Sequence, residues 1–508
     1  MEQQPQEVEA PATGDQKSHR ARTMLSSSVI NASKLSLTMA ITLPLGLVTK
    51  VMLPRVIGSE GAGLLFFAES FPLFLLGLMP MGIPAYIQKY VPPQHEHAWD
   101  IFKTVFLAGA VVGTLLVLGL ITFLGFSTYD NLTIRVTAIM ACYQGLSIFC
   151  NDFLQRFQLA IGRYSYVAKL NIVAKIILVV FIAVAVWLTT KLEVIAGAFL
   201  AAQLVIFALL MMTVKKMDLM RGKFEATRLK QILLVGLPFF FGGVLNTMNS
   251  SIDSFCLLHL ATFRELGYYG AAQRLVGVFL MLVPILGQAF GPNLSQIYAK
   301  DRDQYLAFMT NVIRILVLLA SPLSMGLVAF GPEIIKVLYG ADFQPAWLAV
   351  LVSGPLVLMS YLAAFFAVSA VTTTTGRYFP LILGFGAAIN FVCDYLLIKA
   401  GLATFGPGGG AAGAMIASLV ATMVETYLLL RTSGIKILNK TTTYVFLVAM
   451  LPLVIFCPFG GSWYHLDFYA RILLFSAFIP SYLFMTRLLT VADIAMVRRS
   501  ITGMIKRG

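Results

Sequence analysis

The sequence has little charge for its length. Of its 508 residues only 12% are Asp, Glu, Lys or Arg, whereas 58% are hydrophobic, and the mean hydropathy is +0.84. A soluble domain of this size needs far more charge on its surface. The scarcity of charge excludes an ordinary soluble protein and indicates repeated membrane-spanning helices.

The sequence also lacks the motifs of common catalytic and cofactor sites. The cysteines form no CxxC pair, and neither GxxxxGK[ST] nor HExxH occurs. Residues 408–413 fit GxGxxG formally, but they follow a predicted spanning helix rather than a strand. We interpret them as a turn and a closely packed helix start. We therefore expect no cofactor, no metal and no enzyme activity.

Apolar windows of about 20 residues predict an all-α integral membrane protein with about fourteen transmembrane helices. We expect two pseudo-symmetric six-helix lobes followed by two C-terminal helices. The predicted spans are 30–52, 63–89, 101–126, 132–151, 167–187, 193–214, 232–254, 267–297, 308–330, 347–371, 379–399, 411–430, 442–457 and 468–484.

The predicted lobes are joined by a basic linker, residues 215–230. It carries six cations, Lys215, Lys216, Arg221, Lys223, Arg228 and Lys230, and two acids, Asp218 and Glu225. The other predicted parts are a disordered tail (1–22), an N-lobe (23–214), a C-lobe (231–431), and helices 13–14 with a basic C-terminal tail (432–508).

The net charge of +14 is concentrated in short loops. Lys and Arg are more numerous in the linker and in the loops that share its side of the membrane than in the opposite loops. The positive-inside rule therefore predicts that the linker and both termini are cytoplasmic. Binding to nucleic acid is not expected.

The two predicted lobes contain a weak internal repeat. An ungapped comparison of residues 63–90 with residues 267–294 matches Gly63 with Gly267 and Pro80 with Pro284. A proline inside a spanning helix removes a backbone hydrogen bond and bends the helix. The repeat predicts two similar bent helices related by a two-fold axis along the membrane normal.

Several ordered motifs resemble the polysaccharide-exporter branch of the multidrug/oligosaccharidyl-lipid/polysaccharide flippase superfamily. The first two are Arg-Val-Ile-Gly-Ser-Glu-Gly-Ala-Gly at 55–63 and Met-Gly-Ile-Pro-Ala-Tyr at 81–86. The others lie at 236–238, at Asp253, and at 266–269, 337–343, 389–390 and 409–414. Together they extend over most of the region 30–430.

The resemblance implies a flippase that moves a polyprenyl-pyrophosphate-linked oligosaccharide from the cytoplasmic to the outer leaflet by alternating access. The expected location is a bacterial inner membrane, and the expected process is biosynthesis of surface polysaccharide, such as O-antigen of lipopolysaccharide or exopolysaccharide. The expected partners are the lipid-linked oligosaccharide, membrane lipids, and the polysaccharide polymerase and chain-length machinery.

Three alternatives remain open. A cation-coupled multidrug exporter of the same superfamily needs carboxylates in its cavities, but helix 1 has none between Ile30 and Met52. A peptidoglycan-precursor flippase shares the fourteen-helix form. Its helix 1 carries arginine, whereas helix 1 of this sequence has only Lys34 and Lys50. A glycan polymerase or ligase needs a large outward loop, and every predicted outward loop is short.

Cations inside spanning helices are the candidates for binding the pyrophosphate. Each costs about 2.5–3.5 kcal/mol near the bilayer centre, so a deep cation usually faces a cavity or a partner. The candidates are Arg274, Arg314, Lys34 and Lys175. The alternative for each is snorkelling to the headgroups or structural pairing.

Acids inside spanning helices are the candidates for coupling to a proton or sodium ion. They are Glu69, Asp253, Asp394 and Glu425. The alternative is pairing with a nearby cation. Because only a short predicted loop separates the helices that carry Asp253 and Arg274, the sequence suggests an ion pair between these two residues.

Overall fold

The computed structural model describes residues 14–91, 98–281, 302–372, 378–432 and 466–485, and the single positions 283, 294, 297 and 298. All regular structure in these ranges is helical. The α-helices are α1 Gly14–Leu76, α2 Ile83–Tyr90, α3 Ala98–Gly125, α4 Asn131–Ile148, α5 Arg156–Ala160, α6 Tyr164–Leu188, α7 Leu192–Lys216, α8 Ala226–Leu260, α9 Phe263–Leu280, α10 Arg302–Tyr339, α11 Trp347–Thr372, α12 Phe379–Phe405, α13 Gly409–Thr432 and α14 Phe468–Met485.

The predicted all-α membrane fold is confirmed. In the described ranges nine helical segments are long and apolar enough to cross a membrane, or ten if the bent α8 is one span. One of these segments joins α4 to α5 through a π-helical turn, Phe149–Gln155. The predicted span 442–457 and the end of span 267–297 lie outside the described residues, so the total of about fourteen stays a prediction.

The long helix α1 contains the first predicted span and the first half of the second. The backbone leaves helical geometry at Gly58, with φ 74° and ψ 174°. This is a conformation that only glycine adopts without strain, so the chain can turn there. The second predicted span, 63–89, is broken rather than continuous, because α1 ends at Leu76 and α2 begins at Ile83.

The break after Leu76 supports the predicted repeat. Pro80 lies in the non-helical turn, where its missing N–H disrupts no helical hydrogen bond. The helix α9 ends at Leu280, the position that the ungapped comparison matches with Leu76. The matching Pro284 lies outside the described residues.

The helices pack mainly within two halves of the chain, before and after the linker. In the N-terminal half α1 packs against α4 and α6, and α7 packs against both of these helices. In the C-terminal half α11, α12 and α13 form a core with α8, α9 and α10. The halves meet chiefly where α1 packs against α9.

The contact between α1 and α9 involves residues that the repeat makes equivalent. A Cβ on Gly63 would collide with the backbone of Phe263 and Gly267, and one on Gly267 would collide with the backbone of Ser59. A residue and its repeat equivalent touch only near the symmetry axis that relates them. The Gly63–Gly267 contact thus fits a two-fold axis between the halves, and we call it the α1–α9 crossing.

The bundle has two ends. One end, which we call the linker end, is where α7 stops at Lys216 and α8 starts at Ala226. There Asp100, at the start of α3, accepts a hydrogen bond of 2.6 Å from the backbone N–H of Lys223. At the opposite, far end, the Ser59 N–H donates to Asp342 Oδ2 at 2.6 Å, and Arg55 donates to the Val337 carbonyl at 3.1 Å. The halves are therefore bonded to each other at the far end.

Candidate functional site

A charged pair joins the two halves in the middle of the bundle. Arg274 on α9 donates to Glu69 on α1, with Nη2 3.4 Å from Oε2. The guanidinium group also lies over the Phe66 ring, 5.6 Å from its centre. Both residues are about three helical turns, or ~15 Å, from the far end. The Arg274 side chain is 10% exposed and the Glu69 side chain 29%.

A second cation approaches the same carboxylate from the N-terminal half. Lys175 on α6 is close enough to Glu69 and Lys50 to interact with their charges, and its aliphatic stem packs against Gly46 of α1. Gln144 on α4 donates to the Glu69 backbone carbonyl at 3.5 Å. Glu69 is therefore paired with Arg274 and lies within the range of the charge of Lys175.

The four predicted cations do not all lie together. Arg274 and Lys175 share Glu69, and the structure adds Lys50 and the ring of Phe66 to their surroundings. Arg314 lies on α10, half-buried, ~18 Å along the helix from its first residue. Lys34 is on α1, but its side chain lies outside the described part of the chain.

A group of polar side chains lies inside the C-terminal half. Asp253 on α8 is 2% exposed, and its carboxyl accepts three hydrogen bonds. The donors are Tyr269 at 2.7 Å, Ser418 at 2.9 Å and the amide of Asn390 at 2.9 Å. Three different helices, α9, α12 and α13, thus position this one carboxyl group.

Asp394 lies beside Asp253, one turn along α12 from Asn390. It is fully buried, and the two carboxyl groups are close enough to interact. Both oxygens of Asp394 and the side-chain oxygen of Asn390 lack a hydrogen bond of ordinary geometry from the described residues. The Cys256 thiol on α8 is close enough to interact with Asp394. We call Asp253, Asp394 and Asn390 the buried carboxyl site.

The sequence-based pairing of Asp253 with Arg274 is wrong. Arg274 pairs with Glu69 of the other half, and Asp253 is bonded to uncharged donors. Both residues are near the α8–α9 turn in sequence, but α9 directs Arg274 towards α1. The partner of each residue depends on packing between distant helices, which nearness in sequence does not reveal.

The fourth predicted acid, Glu425, is separate from the buried carboxyl site. It lies on α13, 7% exposed, and accepts a hydrogen bond from Asn249 at 2.9 Å. Its side chain fills the space that a Cβ on Gly386 would occupy. No group of three or more His, Cys, Asp or Glu side chains in the described residues could hold a metal ion.

Comparison with known sequences identifies one family. A model described as polysaccharide biosynthesis protein matches residues 28–298, just over half of the chain. The matched region contains the α1–α9 crossing, Glu69, Asp253 and Arg274. None of the curated protein sequences matches the chain.

Solved structures share the fold. A structure titled lipid II flippase MurJ, inward closed conformation, has a TM-score of 0.64 at 16% identity and covers 89% of this chain and 98% of that one. An inward-facing multidrug resistance MATE family transporter of the MOP superfamily gives 0.63 at 14%, covering 80% and 99%. The Vibrio cholerae MATE transporter VcmN gives 0.54 at 15%, covering 80% and 98%. At these identities the likeness establishes the fold alone.

Proposed function

The chain belongs to the polysaccharide biosynthesis protein family, and on that premise we propose that it flips a polyprenyl-pyrophosphate-linked oligosaccharide across the membrane. A sugar headgroup that enters hydrocarbon loses its hydration, at about 2–7 kcal/mol per unsatisfied hydroxyl. Spontaneous transfer of several sugars is therefore negligible. A protein must supply a polar path between its halves while the polyprenyl tail stays in lipid.

The observation that carries this proposal is the Glu69–Arg274 pair. A buried arginine is suited to a pyrophosphate, because its planar fork of N–H groups binds phosphate oxygens with charge-assisted hydrogen bonds. Arg274 lies at the contact between the halves, about midway between the ends of its bundle. Lys175, on α6 of the N-terminal half, adds a second positive charge near the same carboxylate.

The pair also suggests how binding and opening are linked. A pyrophosphate that binds Arg274 competes with Glu69 for the guanidinium group. The substrate therefore weakens a bond between the halves as it binds. Alternating access follows if the remaining far-end contacts, Ser59–Asp342 and Arg55–Val337, then separate.

The charge of the loops determines the proposed orientation in the membrane, and the family resemblance implies the direction of transport. With the basic linker in the cytoplasm, the far end faces outward and the lipid-linked sugar leaves there. We place the protein in a bacterial inner membrane with both termini cytoplasmic. A polymerase with its chain-length machinery would then take the product for O-antigen or exopolysaccharide synthesis.

The test is flipping of undecaprenyl-pyrophosphate-linked sugar in proteoliposomes that contain the full chain. We expect Arg274→Ala to reduce the flipping rate about 10- to 100-fold, because the substitution removes one or two charge-assisted hydrogen bonds to the substrate. The matched control is Arg135→Ala, since Arg135 pairs with Glu193 but its side chain is 70% exposed. Equal rates for wild type and Arg274→Ala would overturn the role of Arg274, and no flipping by wild type would overturn the function.

We further propose that the buried carboxyl site takes up the driving cation. Asp253 already accepts three hydrogen bonds, whereas both oxygens of Asp394 and the side-chain oxygen of Asn390 accept none of ordinary geometry from the part of the chain that the structure describes. Two adjacent buried carboxylates repel each other, so the site needs a positive charge. A proton or a sodium ion satisfies this need, because oxygen ligands suit hard cations.

Transport measurements on the wild-type protein distinguish between these two cations. Flipping is measured in proteoliposomes with an imposed sodium gradient, with an imposed pH gradient, and with neither. A rate that rises only with sodium identifies sodium, and one that rises only with the pH gradient identifies the proton. A rate that ignores both gradients would overturn the proposed coupling.

The multidrug exporter remains the alternative, because MATE transporters share this fold. Transport of a cationic dye by the same proteoliposomes, without flipping of lipid-linked sugar, would favour it. Flipping of lipid II in preference to other lipid-linked sugars would favour the peptidoglycan precursor. The family match favours the polysaccharide substrate over both.

A further inference from the structure

A cavity of about 650 Å³ opens at the far end of the bundle. Three connections between helices surround it: the turn at Gly58, the α3–α4 loop and the α8–α9 loop. Its polar lining consists mainly of Glu60, Thr128, Tyr129, His259, Thr262 and Arg264. None of these residues was predicted to bind a ligand.

Both halves of the chain form the cavity. Glu60 and Tyr129 come from the N-terminal half, whereas His259 and Arg264 come from the C-terminal half. Glu60 and Arg264 form an exposed ion pair of 3.9 Å across it. Phe263, which also lines the cavity, has the backbone oxygen that touches Gly63. The cavity therefore lies directly beyond the α1–α9 crossing.

Two ring side chains in the cavity are held in place. The Tyr129 ring packs against Phe67, with centroids 5.5 Å apart. The His259 ring stacks on Phe255 at 4.9 Å, and its Nδ1 lies 3.0 Å from the Phe255 carbonyl. When Nδ1 donates to that carbonyl, Nε2 of the neutral ring is left as an acceptor. A fixed ring loses little entropy when a ligand binds.

The chemistry of the lining matches a sugar. Hydroxyl, phenol, imidazole, carboxylate and guanidinium groups provide both donors and acceptors, as a polyhydroxylated ligand requires. Fixed aromatic rings offer apolar faces to the C–H groups of a pyranose ring. A hydrophobic drug would need a more apolar pocket, and a cavity of this size is within the range for small-molecule sites.

The distance to Arg274 relates the cavity to the proposed substrate. Arg264 and Arg274 are ten residues apart on α9, or ~15 Å along the helix. A pyrophosphate at Arg274 would leave a short oligosaccharide able to extend to the cavity once the crossing separates. We propose that this cavity binds the sugars of the headgroup that lie farthest from the pyrophosphate as the substrate leaves. This inference rests on the proposed flippase function.

The experiment compares two lipids in proteoliposomes, undecaprenyl pyrophosphate bearing one N-acetylglucosamine and the same lipid bearing a tetrasaccharide. In the variant Tyr129→Ala/His259→Ala we expect the tetrasaccharide lipid to be flipped about tenfold more slowly than by the wild type. A change of about tenfold corresponds to the loss of one or two hydrogen bonds. The single-sugar lipid should move at the wild-type rate. The matched control is Trp187→Ala, because Trp187 is at the same end but 85% exposed and outside the cavity lining.

Each outcome of this experiment has one meaning. An equal loss for both lipids would assign Tyr129 and His259 a structural role and overturn the sugar site. No loss for either lipid would overturn it as well. If the wild-type protein moves neither lipid, the proposed flippase function itself fails, which the variants alone could not reveal. A second variant, Tyr129→Phe/His259→Gln, keeps the side-chain volumes and should lose less than the alanine variant.

Discussion

The carboxyl groups of Glu69 and Asp394 have opposite surroundings. Glu69 is partly exposed, lies between the two halves, is paired with Arg274, and interacts with the charge of Lys175. Asp394 is fully buried inside the C-terminal half, beside another carboxyl group, and its oxygens accept no hydrogen bond of ordinary geometry from the described residues. Glu69 therefore has a cation partner within the protein, whereas Asp394 has none among the described residues.

Under the proposed function, the difference fits separate tasks for the two regions. A neutralised pair between the halves can be exchanged for a substrate anion, and this exchange changes the contact between the halves. The two buried carboxyl groups inside the C-terminal half have no cation to exchange, so they can only bind one. Binding of a cation there would change the packing of α8 against α12. Substrate and driving ion would then bind at different places and influence each other through the helices between them.

The largest expected effect comes from removing the charge at the buried site. We expect Asp394→Asn to lower cation-driven flipping about 100-fold, the equivalent of ~3 kcal/mol of charge-assisted contact. Thermal unfolding should stay at or above the wild-type temperature, because the substitution removes the repulsion between two adjacent buried carboxyl groups. The measurements are flipping with and without the cation gradient, and a melting curve in detergent.

The control for this substitution is Asp218→Asn in the linker, where the carboxylate is exposed and the backbone is left-handed. Asparagine tolerates that backbone conformation. Wild-type flipping is expected for Asp218→Asn. Persistence of full cation dependence in Asp394→Asn would contradict the assignment of the buried site.

The next effect should come from Glu69→Gln. This change frees Arg274 from its ion pair, so the lipid pyrophosphate should bind several-fold more tightly. Turnover should fall about tenfold, because a tightly held substrate is released slowly. Affinity and turnover are measured separately, with Glu193→Gln as the control for a carboxylate of similar exposure that is paired with an arginine of its own half. Weaker binding in Glu69→Gln would mean that Glu69 supports Arg274 rather than competing with substrate.

The sequence predicted the helices well because hydropathy is a local property. The observed bounds of α11, Trp347–Thr372, differ from the predicted span 347–371 by one residue. The interpretation of residues 408–413 was also correct, since Gly408 has a positive φ and the backbone N–H of Gly408 and of Ala411 are bonded to Glu265. A turn and a tight helix start need only the local glycines.

The contacts between distant helices were harder to predict. Pairing of Arg274 with Glu69 depends on how α1 crosses α9, and the match of Gly63 with Gly267 was the signal in the sequence that could have indicated it. The same match would have suggested that residues just beyond each glycine face the other half. The cavity at the far end had no signal at all, because three separate loops form it.

A smaller effect is expected at Glu425, another buried acid of the C-terminal half. Its carboxyl accepts a hydrogen bond from Asn249 and is not part of the buried carboxyl site. Glu425→Gln keeps an acceptor for Asn249, so flipping should stay within about twofold of wild type. Glu425→Ala should cost about 1 kcal/mol of stability, because it removes the hydrogen-bond partner of the half-buried Asn249 amide. A large loss of cation dependence in Glu425→Gln would extend the ion site to α13.

The smallest effect should come from an exposed carboxylate that stabilises only its own helix. Asp130 is the N-cap of α4, and its Oδ2 accepts the Thr133 N–H at 3.2 Å. This hydrogen bonding lowers the pKa of Asp130 below its ordinary value. The contribution to stability is therefore present above the unfolded pKa of about 4 and is lost as the pH falls through the lower folded pKa.

Asp130→Ala should cost about 1 kcal/mol at neutral pH, and its deficit should disappear in acid. Asp130→Asn keeps an uncharged acceptor, so it should retain most of the cap at every pH. Melting curves of the three proteins from pH 7 to pH 3 measure this difference, and flipping at neutral pH should be unchanged in both variants. A loss of flipping in Asp130→Asn would mean that a far-end carboxylate also takes part in transport, and the contrast between Glu69 and Asp394 would then be incomplete.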